Sequence, residues 1–132
     1  MSAAVSIKIL LADDSPVVRH AIGRFLQHTP DFILVGEASD LPETLEKVAT
    51  LGPDVVVLDL HMAVWADGDS KRLKGELSTT RLIAISFATD DNTLTLAARL
   101  GADRFIDKVE LCGKLIPTIL ELAAPRAHET PC

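Results

Sequence analysis

The sequence has few cysteines, few aromatic residues, no excess of positive charge and no long apolar run. Two cysteines in 132 residues, Cys112 and Cys132, do not make a disulfide framework, which indicates a reducing compartment. A formal net charge of −6 argues against a nucleic-acid surface, because phosphate binding requires clustered Lys and Arg. No run reaches the length of a membrane span, and the N-terminus becomes acidic too soon for a signal peptide. We therefore expect a cytoplasmic protein that contacts neither nucleic acid nor membrane directly.

What the sequence does contain is an ordinary globular composition. Apolar residues make up 48% and charged residues 24%, and 132 residues suffice for a core without disulfides. No internal repeat, low-complexity segment or linker interrupts the chain. The sequence predicts one domain over residues 1–124 and a flexible tail over 125–132.

Short apolar runs alternate with helical patterns along the chain. The runs are rich in Ile, Val, Leu or Phe, and none alternates cleanly, as is typical of a parallel sheet covered on both faces. They occupy residues 6–12, 32–38, 54–60, 81–87 and 103–107. Five such βα units predict an α/β fold with a doubly wound, five-stranded parallel sheet and helices on both faces.

The helical patterns differ in quality. The third predicted helix has only Leu73 and Leu77 as large apolar residues, which favours a short, loosely packed helix. In the fourth helix, Leu94, Ala97 and Ala98 are predicted to face inward. The last helix is expected to start near Gly113, because a proline within the following turns is tolerated only near a helix N-terminus.

Polar side chains follow four of the predicted strands. Asp13 and Asp14 follow the first strand, Asp59 ends the third, Ser86 ends the fourth and Lys108 follows the fifth. In open α/β sheets, ligands bind beyond the carboxyl ends of the strands, so we expect these groups at one edge.

This set of groups indicates phosphoryl chemistry. Three neighbouring carboxylates require a cation, and ligation by oxygen alone suits Mg²⁺. A lysine and a hydroxyl nearby would bind phosphoryl oxygens, and an aspartate can act as a nucleophile. The sequence therefore predicts a site that transfers a phosphoryl group to a carboxylate, which explains why an apolar strand ends in Asp59.

Four segments in order make the chain similar to a known family. The segments "ILLADDSPVVR", "LDLHM", "LIAIS" and "FIDK" resemble the receiver domain of bacterial two-component response regulators, over roughly residues 6 to 122. The resemblance implies the flavodoxin-like strand order 2-1-3-4-5. Because the sequence ends where such regulators often continue into a DNA-binding domain, it looks like a stand-alone receiver.

The resemblance implies a role for each matching residue in the metal and acceptor site. Asp59 would be the phosphoacceptor. Asp14, Asp59 and the backbone carbonyl of His61 would ligate Mg²⁺, and Asp13 would act mainly through water. Lys108 would pair with the phosphoryl group.

Further positions would form the switch. Ser86 would move to hydrogen-bond the phosphoryl group, and Phe105 occupies the position of the aromatic switch residue. His61 and Ala88 would flank the path of the hydrolysing water and tune dephosphorylation.

The sequence also departs from the family pattern. Ala63 stands where the family usually has proline, Asp67-Gly68 comes one residue late, and the segment from Gly68 to Ser86 is short. These departures concern the third helix and the loop before it. In that loop, Trp65 is either partner surface or loop packing.

The resemblance implies a phosphorylation-activated signalling switch rather than a turnover enzyme. A histidine kinase would be the phosphodonor, and the target would be a protein bound by the face of the fourth helix, fifth strand and fifth helix. A homodimer through that face is an expectation by analogy.

Two other functions remain open at this stage. One is a phosphorylation-independent interaction module with the same fold. The other is a Mg²⁺-dependent hydrolase with an aspartyl nucleophile, although Asp13-Asp14-Ser15 lacks the D-x-D spacing. Singly, each residue also has a plainer interpretation: Asp13 and Asp14 could favour a helix N-terminus, and Phe105 could belong to the core.

Overall fold

The computed structural model describes residues 6–62 and 68–123, in which strands and helices alternate. The strands are β1 (Ile7–Ala12), β2 (Phe32–Ala38), β3 (Val55–Asp59), β4 (Arg81–Ser86) and β5 (Arg104–Asp107). The α-helices are α1 (Pro16–Gln27), α2 (Leu41–Leu51), α3 (Asp69–Glu76), α4 (Asp91–Arg99) and α5 (Leu111–Ala123), and a 3₁₀ turn (Lys108–Glu110) leads from β5 into α5.

The five strands form one parallel sheet in the order β2-β1-β3-β4-β5. The predicted fold class and strand order are thereby confirmed. The order reverses at β1, which lies between β2 and β3, and this places the binding crevice of such folds beside the ends of β1 and β3. In register, Ala12 pairs with Leu58, Asp59 with Ile85 and Ser86 with Asp107, so the strand ends lie side by side.

The central strands β1, β3 and β4 are buried on both faces, which explains their uninterrupted apolar runs. All five residues of β3 are buried. Val56 and Leu58 belong to a core that includes residues of α2, α3 and α4, whereas Val55 and Val57 belong to a core with α1 and α5. Successive side chains of a central strand point to opposite faces of the sheet, and each face is covered by helices, so both sets must be apolar.

Side chains and glycine set several helix ends. The hydroxyl of Ser15 accepts the backbone N–H of Val18 at 3.2 Å, and Pro16 opens α1. Gly52 ends α2 with a φ of 56°, a left-handed conformation that glycine adopts without strain.

Two details of the helices differ from expectation. In α4 the inward positions include Thr93 and Ala97, whereas Leu94 is 43% exposed and Ala98 is exposed. The predicted inward set was therefore wrong in two of its three residues, because Asp90 caps the helix through Thr93 and turns that residue inward.

The start of α5 was also predicted wrongly. The helix begins at Leu111 instead of near Gly113, so Pro117 lies inside it. The carbonyl of Gly113 has no N–H partner at Pro117, but both residues are exposed, so water can satisfy that carbonyl.

The short third helix was predicted correctly, but it is not loosely held. Leu73 is fully buried and Leu77 nearly so, and both belong to the core on the α2 side of the sheet. Ala63 and Asp67, two residues of the family departures, and Trp65 lie outside the described residues, as does the predicted tail 125–132. Within the described part of the chain, no helix combines the length and the apolarity needed to cross a membrane.

Candidate functional site

Asp59 is a buried carboxylate with two polar partners. It ends β3 and is 3% exposed. Its Oδ2 lies 3.3 Å from the Lys108 Nζ, and its Oδ1 accepts the backbone N–H of His61 at 3.0 Å. The apolar strand can end in a buried carboxylate because the Lys108 ammonium and the His61 N–H both bind it.

Asp13 is the second buried carboxylate at this edge of the sheet. Its Oδ2 lies 2.8 Å from the Lys108 Nζ, and its Oδ1 accepts the backbone N–H of Ser15 at 2.9 Å. Lys108 thus bridges the ends of β1 and β3 from the end of β5. Its side chain is only 7% exposed, so little water screens these ion pairs.

Arg19 supports Asp13 from the first turns of α1, and we did not predict this contact. Its Nη1 donates to the backbone carbonyl of Asp13 at 2.6 Å, and its Nε donates to Glu37 on β2 at 3.0 Å. The sequence signal was the arginine that closes "DDSPVVR", six residues after Asp13.

Asp14 completes a cluster of three carboxylates. Asp14 is exposed, unlike Asp13 and Asp59, and one oxygen from each of the three lies within 4.8 Å of the others. Oxygen ligands of an octahedral Mg²⁺ are at most about 4 Å apart, so small side-chain rotations would suffice to bind the ion. Three carboxylates and one ammonium also leave two negative charges, which a divalent cation would balance.

The electrostatics of the site favour such a cation. Burial raises the pKa of Asp59 above its ordinary value, and the charge of Asp13 acts in the same direction. The His61 N–H and the Lys108 ammonium act in the opposite direction without cancelling the burial effect. The ionised Asp59 carboxylate therefore gains from any added positive charge.

Ser86 and Lys108 follow adjacent strands at the same edge. Ser86 is fully buried, and its hydroxyl accepts the backbone N–H of Ala88 at 2.9 Å. Ser86 pairs in register with Asp107, the residue before Lys108. The structure thus brings together the residues that the strand-end argument selected.

The remaining predicted residues lie at the margin of the site. Phe105 is half-buried on β5 and packs against the core that contains Leu82. His61 is exposed. The hydrogen bond from the Thr93 hydroxyl is the main reason that the pKa of Asp90 is lowered, and the charge of His61 contributes to the lowering. The site therefore adjoins the N-terminus of α4.

Phe87 is a third neighbour of Lys108, and sequence reasoning missed it. The Nζ of Lys108 lies over the Phe87 ring, 5.2 Å from its centroid, and Phe87 is 66% exposed. We had placed Phe87 in the fourth strand, which instead ends at Ser86. An aromatic residue directly after the hydroxyl of a strand end was the available signal.

Comparison with known proteins agrees with this architecture. A family model described as the response regulator receiver domain matches residues 9–119. The chain is 35% identical over 102 residues to protein-glutamate methylesterase/protein-glutamine glutaminase 3 of Geobacter sulfurreducens, which covers 77% of this chain and 28% of that protein. It is 32% identical over 115 residues to the transcriptional regulatory protein LiaR of Bacillus subtilis, which covers 86% of this chain and 54% of that protein.

A solved structure gives the same result at the level of the fold. In the crystal structure of the P1 domain of CheA3 in complex with CheY6 from R. sphaeroides, one chain superposes on this one with a TM-score of 0.75 at 28% identity. The match covers 92% of this chain and 99% of that chain. Against the two curated relatives, by contrast, the chain spans about half of the relative's length or less.

Proposed function

Because the chain belongs to the response regulator receiver domain family, we propose that it is a phosphorylation-activated switch whose phosphoacceptor is Asp59. The observation that supports this most directly is the bridge from Lys108 to both Asp13 and Asp59, at 2.8 and 3.3 Å. An ammonium held beside a buried carboxylate is placed to stabilise negative charge on an incoming phosphoryl group.

The transfer replaces one phosphorus bond by another. A carboxylate oxygen of Asp59 forms a bond to phosphorus while the bond from phosphorus to the donor breaks, and the donor leaves with that electron pair. With acetyl phosphate, the products are an aspartyl phosphate and acetate, and the total charge is unchanged. Lys108 stays protonated and pairs with the phosphoryl oxygens, so the protein contributes position and charge.

Mg²⁺ is the cofactor that the carboxylate cluster fits. In our proposal Asp14, Asp59 and the backbone carbonyl of His61 hold the ion, and Asp13 acts mainly through water. When bound, the ion neutralises charge and orients phosphoryl oxygens. Arg19 holds the backbone of Asp13 in place through the 2.6 Å hydrogen bond to its carbonyl.

The switch itself is assigned to Ser86 and Phe105. On phosphorylation, the Ser86 hydroxyl would leave the N–H of Ala88 and hydrogen-bond the phosphoryl group, and Phe105 would turn inward against the core. The exposed His61 and the half-buried Ala88 would tune dephosphorylation from either side of the site.

We propose a histidine kinase as the phosphodonor and a protein as the downstream target. The solved complex of CheY6 with the P1 domain of CheA3 supports another signalling protein's domain as the partner. The target, or a second copy of the chain, would bind the face of α4, β5 and α5, where Leu94 and Leu120 are exposed. We propose that residues 1–124 act as a cytoplasmic receiver domain that contacts neither nucleic acid nor membrane directly, and that the chemistry of this domain is its own phosphorylation and dephosphorylation.

Intact-mass measurement tests the acceptor. The folded protein is incubated with Mg²⁺ and acetyl phosphate, and in parallel with a panel of phosphorylated histidine-kinase domains. One added phosphoryl group is expected in the wild type and none in Asp59→Asn. Asp31→Asn, which makes the same chemical change at an exposed residue at the other edge of the sheet, should be modified like the wild type.

Two outcomes would contradict the proposal. An adduct that persists in Asp59→Asn would place the acceptor elsewhere. No adduct with any donor would favour a phosphorylation-independent interaction module.

A further inference from the structure

Besides its two ionic partners, the Lys108 ammonium has an aromatic neighbour, the ring of Phe87. Its Nζ is 2.8 Å from the Asp13 Oδ2, 3.3 Å from the Asp59 Oδ2 and 5.2 Å from the centroid of the Phe87 ring. A cation within about 6 Å of an aromatic face is attracted by the ring quadrupole. The ring therefore supplies a third contact to the ammonium that binds both buried carboxylates.

The exposure of Phe87 indicates that core packing does not account for it. The side chain is 66% exposed, although the preceding Ser86 is fully buried. A phenyl ring left in water gains little from the hydrophobic effect. In contrast, the ammonium beneath it is on a side chain that is only 7% exposed, so the ring covers part of a desolvated charge.

A lysine needs this kind of restraint more than most side chains do. Its ammonium sits on a flexible four-carbon stem, and its three donors can reach several acceptors. Here the stem must place Nζ between carboxylates from two different strands. A ring on the remaining side would remove rotamers in which the ammonium turns toward solvent.

We propose that Phe87 is a positioning residue for phosphoryl transfer, whose ring face holds the Lys108 ammonium between Asp13 and Asp59. The proposal rests on the proposed function, since Lys108 matters to transfer only if Asp59 is the acceptor. Phe87 touches neither the acceptor carboxylate nor the donor in this role. It acts through Lys108 alone.

A series of substitutions at Phe87 separates the ring quadrupole from side-chain bulk. Phe87→Tyr keeps an aromatic face, Phe87→Leu keeps apolar bulk without one, and Phe87→Ala removes both. The initial rate of Asp59 phosphorylation by acetyl phosphate with Mg²⁺ is measured by intact mass. We expect Phe87→Tyr to match the wild type and both other variants to be slower by a similar factor, roughly two- to fivefold, as one cation–π contact implies.

The opposite ranking would overturn the proposal. If Phe87→Leu matches the wild type, or if Phe87→Ala is faster, the side chain acts by bulk and access to the site. Thermal unfolding of each variant checks that every rate is measured on folded protein. Because Phe87 is exposed, we expect no large loss of stability from these substitutions.

A spectroscopic signature tests the contact without any phosphorylation. Protons next to the Lys108 ammonium should show an upfield ring-current shift by NMR, assigned by the loss of the signal in Lys108→Arg. The shift should persist in Phe87→Tyr and disappear in Phe87→Leu. Its absence from the wild type overturns the positioning role whatever the kinetics, whereas a wild type that shows the shift but forms no adduct overturns the proposed function instead.

Discussion

At the scale of single residues, the molecule keeps a carboxylate where burial disfavours charge. Asp59 is 3% exposed, and burial together with the nearby charge of Asp13 raises its pKa. Lys108 and the His61 N–H offset part of this cost. A buried carboxylate whose pKa is raised by burial and by a neighbouring charge is typical of a functional site.

The raised pKa of Asp59 predicts a pH-dependent stability difference for Asp59→Asn. Because the pKa of Asp59 in the folded state lies above the ordinary value of 3.8, the ionised carboxylate destabilises the fold. The wild type therefore loses stability as pH rises from 3.8 through the raised folded-state pKa. Without Mg²⁺, the variant should therefore be more stable than the wild type at neutral pH. The gain should shrink toward zero as pH falls below 3.8, because this carboxyl is then protonated in both the folded and the unfolded state.

Urea unfolding in EDTA at several pH values measures this difference. Asp31→Asn, the same chemical change at an exposed position, serves as the matched control. A variant less stable than the wild type at neutral pH would mean that the pairing with Lys108 outweighs the cost of burial.

Sequence reasoning found some site residues and missed others for a physical reason. Asp59, Ser86 and Lys108 follow apolar runs, so the rule that strand ends meet at one edge selects them. Arg19 acts through a hydrogen bond to the carbonyl of Asp13, and Phe87 acts through the face of its ring. Both contacts depend on where a side chain points, which the periodicity of the sequence does not record.

At the scale of elements, apolar runs predicted the strands well and the helices less well. A strand buried on both faces is apolar along its length, as β3 is from Val55 to Leu58 before it ends in Asp59, and this pattern is hard to mistake. In α4 the residues Thr93 and Ala97 face inward, so a threonine and not a leucine marks the buried face. In α5, Pro117 is tolerated within the helix because it lies on the exposed face, where water can satisfy the carbonyl of Gly113.

The short helix α3 predicts a large effect from one side chain. Leu73 is fully buried, and the helix has little other apolar surface. Leu73→Ala should lower the free energy of unfolding by about 3 kcal/mol, through lost burial and the cavity left behind. Leu94→Ala, at a 43% exposed position on α4, should cost under about 1 kcal/mol.

Chemical denaturation of both variants checks this contrast. Equal costs for the two substitutions would show that α3 contributes little to the core. Such a result would support the loose packing that the sequence suggested for this helix.

At the scale of the whole molecule, the site exists only when the sheet is assembled. Lys108 contacts Asp13 across 95 positions of sequence, and Asp59 comes from a third strand between them in space. The parallel register places the ends of these strands at one level. Binding at this edge should therefore be coupled to global folding.

This coupling predicts that Mg²⁺ stabilises the entire fold. At a tenfold excess over its dissociation constant, the ion should add about 1.4 kcal/mol to the free energy of unfolding, and EDTA should remove the gain. Asp14→Asn should need more Mg²⁺ for the same gain, because it removes the charge of a proposed ligand at an exposed position. Thermal unfolding over a Mg²⁺ titration measures both effects, with Asp31→Asn as control.

An absent or non-saturable Mg²⁺ effect would contradict the cation site. The same result in Asp14→Asn and in the wild type would instead remove Asp14 from the ligand set.

The sequence by itself determined the α/β class, the five strands and the edge at which the polar residues gather, because local apolar patterns and strand ends carry that information. Resemblance to a family, and not periodicity, supplied the strand order. Only the tertiary structure decided that Lys108 bridges Asp13 and Asp59, that Arg19 holds the loop after β1, and that Phe87 lies over the ammonium. Those contacts join residues far apart in the chain, and their geometry depends on packing that no local pattern records.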